Sequence, residues 1–137
     1  MPNMTPRTTR VGLAAFACAA ALSLSAGPSV AADFASQCEF THVVKVTSAG
    51  MQRADVRLPV SLTRKNRSGR VLVSGSGDYK ARAKTFKSGA LEYVFKTGVS
   101  KETITIGPRG EALWEISFKN GDLMTYVGSC GEERKTS

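Results

Sequence analysis

One histidine, His42, serves the whole chain of 137 residues, and of its three cysteines no two are spaced as CxxC. That scarcity removes most of the usual chemistry. Zinc sites are built from clustered cysteine and histidine, and calcium loops from regularly spaced acids; neither pattern is present. A Ser–His–Asp arrangement would have to use His42, which stands among valines (Val43, Val44, Val46), where a half-buried structural histidine is the simpler reading. The 11 acidic residues show no spacing that marks a catalytic pair. Gly75-Ser76-Gly77 is followed by no helix start, so it reads as a turn and not as a phosphate loop. No cofactor and no metal are implied, and a hydrolase with an unfamiliar site is only a third reading. Aromatic residues are also few, 7% of the chain, and hardly interleave with the basic ones, which disfavours nucleic acid as a partner.

What the chain does have begins at its N-terminus. Met1 to Arg10 carries Arg7 and Arg10 and no acid, Val11 to Ala26 is apolar and small, Gly27-Pro28 breaks it, and Ser29 to Ala32 is small again. A basic start, an apolar centre and a small-residue cleavage site are the three parts of a secretory signal peptide. The reading is a signal peptide over 1–32, cut after Ala31 or Ala32, and one domain over 33–137. The apolar run is shorter than the roughly 20 residues of a membrane span, so the remaining chain is expected to carry no transmembrane segment and to reach the periplasm or the extracellular space.

Cys18 would leave with the signal. Cys38 and Cys130 would then remain near opposite ends of a small domain in an oxidising compartment, which predicts a disulfide between them.

From Cys38 onward apolar and polar residues alternate in short runs, separated by turn residues. Val56, Leu58, Val60 and Leu62 share a face, with Pro59 marking an edge or a bulge. Tyr79, Ala81 and Ala83 oppose Lys80, Arg82 and Lys84; Leu91, Tyr93 and Phe95 share another face. The pattern predicts an all-β antiparallel meander of about eight strands, closed or nearly closed as a barrel, or else folded as a two-sheet sandwich. In the last hairpin Asn120-Gly121 suits a two-residue turn. That turn would pair Phe118 with Leu123, Ile116 with Thr125 and Trp114 with Val127. Leu113, Met124 and Tyr126 would then face outward as an apolar contact patch, open or covered by residues 33–37 or by a second sheet. Cys130 would share their parity, so a bulge at Gly128 would be needed to bring it to Cys38.

The net charge is +8, and it is unevenly spread. Ten basic residues lie between Arg53 and Lys87 with only Asp55 and Asp78 among them. The candidate anion- or partner-binding residues are Arg57, Arg70, Lys80, Arg82 and Lys84. The chemistry they suit is an anionic polymer, a lipid head group or an acidic protein, although a solvated basic face would also keep a sheet soluble. The expected function is therefore a non-enzymatic binding protein, an inhibitor or an envelope-associated module. The alternative is a carrier with a small apolar ligand inside the barrel. Asn66-Arg67-Ser68 matches a glycosylation sequon in an expected turn.

Ser74-Gly75-Ser76-Gly77 with Tyr79, followed by Lys87-Ser88-Gly89, loosely resembles the paired loops of the small exported lysozyme inhibitors of the membrane-bound C-type family. Those proteins are similar in size, barrel-like, and closed by a disulfide between an early and a late cysteine. The resemblance implies an inhibitor whose two loops enter one cleft together.

Overall fold

The computed structural model describes residues 34–136, and the signal-peptide reading, with Cys18 and the cleavage site, lies outside them. Nine strands run in order: β1 (Phe34–Thr47), β2 (Gly50–Lys65), β3 (Ser68–Val73), β4 (Gly77–Thr85), β5 (Leu91–Lys96), β6 (Ser100–Ile106), β7 (Glu111–Phe118), β8 (Leu123–Cys130) and the short β9 (Arg134–Lys135). No helix occurs among the described residues, so none there is long and apolar enough to cross a membrane. Each strand from β2 to β7 pairs antiparallel with the next, and β1 pairs with both β2 and β8. Eight strands therefore close into a barrel, and β9 adds to the start of β1. Of the two expected layouts, the barrel is the one formed.

Alternation does the sorting. Phe40, Val60, Leu62, Val71, Tyr93 and Ile104 are fully buried at the barrel centre. Phe40 packs on Trp114 with ring centroids 5.6 Å apart, and Trp114 on Tyr126 at 5.0 Å. Pro59 falls where it costs no ladder bond: β3 begins its pairing at Val60, and Pro59 lends only its carbonyl, to Ser74 N–H at 3.1 Å.

The last hairpin departs from the expected register by one residue. Phe118 N–H donates to the Asp122 carbonyl, and Gly121 N–H to the Phe118 carbonyl, both at 3.0 Å. This closes a three-residue loop in which Gly121 takes φ 97°. Asn120 holds the wider loop by accepting from Asp122 N–H at 2.9 Å. Ser117 therefore faces Leu123, Ile116 faces Met124, Trp114 faces Tyr126 and Leu113 faces Val127. Met124 and Tyr126 move to the inner face, and Cys130 moves with them. It meets Cys38 directly across the β1–β8 ladder, bonded as expected, and no bulge at Gly128 is needed. Gly128 is required for another reason: a Cβ there would run into the Glu39 carbonyl and stand 2.6 Å from Phe40 Cα.

The irregularity lies instead in β1, between Phe40 and His42, where the register shifts against both neighbours. Beyond it, Val43 and Lys45 take the inner positions opposite Tyr126 and Met124, and Val46 is left 37% exposed. His42 is exposed on the outer face and not half-buried.

The Tyr93 hydroxyl is buried without a hydrogen-bond partner among the described residues, as is Ser36 Oγ. Burial holds the Tyr93 phenol well above its ordinary value of 10.0; the Glu133 charge adds to the shift and Arg64 opposes it. A phenol that ionises at higher pH folded than unfolded contributes stability that is complete below the unfolded value and declines as pH rises toward the folded one. Stability is thus expected to fall from about pH 10 upward. Tyr93→Phe should flatten much of that decline, leaving the smaller part that comes from Tyr126, itself raised by burial and by Glu102. At neutral pH the same variant should be unchanged or more stable, by up to about 1 kcal/mol, because no hydrogen bond is lost. Urea midpoints of both proteins between neutral and alkaline pH measure this; an unchanged alkaline slope would remove the assignment to Tyr93.

Candidate functional site

In β4, Ala83 is buried, Tyr79 and Ala81 are partly so, and Lys80, Arg82 and Lys84 stand exposed on the other face. Alternate side chains on a strand are about 6.8 Å apart, so the three form an even cationic row. Cross-strand pairing sets Arg70 opposite Lys80, and Ser68 opposite Arg82. Arg70 Nε also holds Asp78 Oδ1 at 3.0 Å, which offsets its charge locally. Arg57 is not part of the group. It lies on β2 beyond the last residue paired with β3, and it faces Glu39 at 3.6 Å. Three of the five predicted residues are therefore brought together, a fourth flanks them with a partner, and the fifth is elsewhere.

The fold adds a residue that the sequence reading passed over. Asn66 and Arg67 form the two-residue β2–β3 turn, with Asn66 at φ 57°, a left-handed conformation that asparagine tolerates. Ala83 N–H donates to the Arg67 carbonyl at 2.8 Å, which pins the turn against β4. A cleft of about 650 Å³ results, lined by Arg64, Asn66, Arg67, Arg82, Ala83, Lys84 and Thr85. Four of these are cationic and none is acidic. Arg64 is engaged by Glu133 through two bonds of 2.7 Å and lies over the Phe34 ring. Lys84 Nζ sits 4.9 Å from the Phe86 ring centroid. Arg67 and Arg82 have no ion-pair partner among the described residues. A signal for Arg67 existed: turn residues beside an alternating basic strand are carried onto its face.

The predicted apolar patch does not form. Leu113 faces outward, 38% exposed beside Val127, whereas Met124 and Tyr126 line the barrel mouth. There a second cleft, of about 480 Å³, is bounded by Val43, Lys45, Gln52, Arg53, Ala54, Met124 and Tyr126. Residues 34–37 do not cover any patch; they belong to β1 and pair with β2.

A buried acid was also missed. Glu102 is 7% exposed and accepts from Trp114 Nε1 at 2.9 Å and from Ser100 Oγ at 2.8 Å. Its parity with Ile104 and Ile106 was the available sign, since an inward Trp114 needs an acceptor. The bonds make Glu102 a structural anchor that orients the indole. On the outside, Thr41 Oγ1 lies 2.9 Å from His42 Nδ1, and His42 Nε2 3.6 Å from Asp55 Oδ1. The residue types suggest a hydrolytic array, but the His42 and Asp55 side chains are 63% and 92% exposed. At that exposure water has free access to both side chains. Among the described residues no group of three or more His, Cys, Asp or Glu is placed to hold a metal ion.

The loop resemblance does not survive the topology. Residues 74–76 and 86–90 lie at opposite ends of β4, roughly 27 Å apart at the rise of a strand, so they cannot enter one cleft together. The chain matches no protein-family model, and no match to a curated protein is found.

Proposed function

We propose that the protein is an exported, non-enzymatic binding module that takes anionic groups in the cleft between the β2–β3 turn and β4. The observation that carries this reading is the cleft lining: Arg64, Arg67, Arg82 and Lys84 with no acid among them. The Cys38–Cys130 disulfide is compatible with the oxidising compartment that export implies. The row Lys80–Arg82–Lys84 extends the cationic surface along β4, so a partner with repeated negative charges suits it better than a single ion. The carrier reading is weaker, because Phe40, Leu62, Val71, Tyr93 and Ile104 occupy the barrel centre.

The test is a salt titration of binding to a set of anionic polymers and anionic lipid vesicles. Binding to one class over others is expected, with log K falling linearly in log salt. Arg67→Gln, Arg82→Gln and Lys84→Gln should each weaken binding and reduce the salt slope by about one, while Lys101→Gln and Lys119→Gln should not. Equal losses from all five would mean that overall charge binds, and the cleft would then have no special role.

A further inference from the structure

β2 outlasts the strand beside it. β3 pairs with β2 only from Val60 to Lys65, and Ser74 N–H takes the Pro59 carbonyl. From Gly50 to Leu58, β2 is paired with β1 alone among the described residues, so one side of its backbone is open. The β1–β2 hairpin turns through Ser48 and Ala49, with Thr47 opposite Gly50. Bonded and non-bonded pairs alternate from such a turn. Gly50, Gln52 and Ala54 therefore bond to β1, and the N–H and C=O groups of Met51, Arg53 and Asp55 point to the open edge.

Open edges are commonly blunted by charges that repel another strand. This edge alternates in sign, so its effect on a second copy depends on register. An antiparallel copy must set edge-bonding residues opposite one another. Centred on Arg53, the pair would put arginine against arginine. Centred on Asp55, it would put acid against acid and Arg53 against Arg57. Centred on Ala54, it puts Arg53 opposite Asp55 twice, a complementary arrangement. The length fits the same register. Gly50 of the second copy then faces Leu58, so the incoming hairpin ends just before Pro59, where β3 takes over.

We propose that two copies of this chain associate through the open edge of β2 as an antiparallel, two-fold pair centred on Ala54, with Arg53 of each facing Asp55 of the other. Ala54 and its neighbours Arg53 and Asp55 are all exposed, as the pairing requires. The cleft at Arg67 lies at the other end of β2 and stays open.

Sedimentation of the processed chain from micromolar into the millimolar range should show a reversible monomer–dimer equilibrium. Arg53→Asp and Asp55→Arg, each at an exposed site, should each weaken self-association by about tenfold or more, because each places like charges opposite twice. An equimolar mixture of the two variants should recover the dimer as a heterodimer, and the variant carrying both changes should recover it alone. A chain that stays monomeric throughout, a dimer indifferent to both reversals, or a mixture that does not recover would each overturn the proposal.

Discussion

Reducing the Cys38–Cys130 disulfide is expected to lower stability by about 4 to 5 kcal/mol, the loop-closure entropy restored to the unfolded chain. The bond spans 92 residues of sequence, nearly the whole described chain, so few places could constrain that chain more. It also sits across the β1–β8 ladder, the seam that turns a meander into a closed barrel. Since domains of this size have total stabilities of roughly 5 to 15 kcal/mol, the reduced form should lie close to its unfolding threshold. Urea melts with and without reductant, alongside a Cys38→Ala/Cys130→Ala variant, measure the effect. A loss below about 1 kcal/mol would mean that the ladder and the core hold the seam without the covalent tie, and that the reduced chain is already constrained when unfolded.

Phe40→Ala should cost about 3 to 5 kcal/mol. Phe40 is fully buried, touches Trp114 and Tyr126 through its ring, and stands opposite Gly128 at the same seam. The backbone of β1 cannot move in to fill the space, because it already lies against Gly128. Truncation leaves a cavity between the aromatic rings and removes ring contacts that add about 0.5 to 1.5 kcal/mol beyond area burial. A shift of urea midpoint with unchanged denaturant slope is the expected signature. A cost below about 1 kcal/mol would show that Trp114 and Tyr126 repack into the site. Because Cys38 and Phe40 share one strand and one seam, losing both should not give the sum of the separate costs.

The candidate site was partly visible before folding. The row Lys80, Arg82 and Lys84 follows from strand parity alone, and the exposed face of β4 carries it as expected. Arg57 lies in the same basic stretch of sequence, but its neighbours are chosen by the length of β3, which ends before reaching it. By its sequence Arg67 is only part of a turn; the bond from Ala83 N–H to its carbonyl makes it a wall of the cleft. A two-residue turn would put Leu113, Met124 and Tyr126 on one face. One further residue in that loop sends Met124 and Tyr126 inward, since each step along a strand reverses the side on which a residue projects.

Composition and alternation by themselves determined the all-β class, the meander of about eight strands, most of the core and the pairing of Cys38 with Cys130. These are local or nearly forced: period-two patterning sorts inside from outside, and the two cysteines left once Cys18 is assigned to an expected signal allow one bond. Barrel against sandwich, the shifted register of the last hairpin, the irregularity beyond Phe40 and the open edge of β2 were decided only by the tertiary structure. The reason is physical. Register, closure and strand ends depend on what a distant strand offers as a partner, and a single residue of loop or bulge, nearly neutral in local propensity, exchanges one face of a strand for the other.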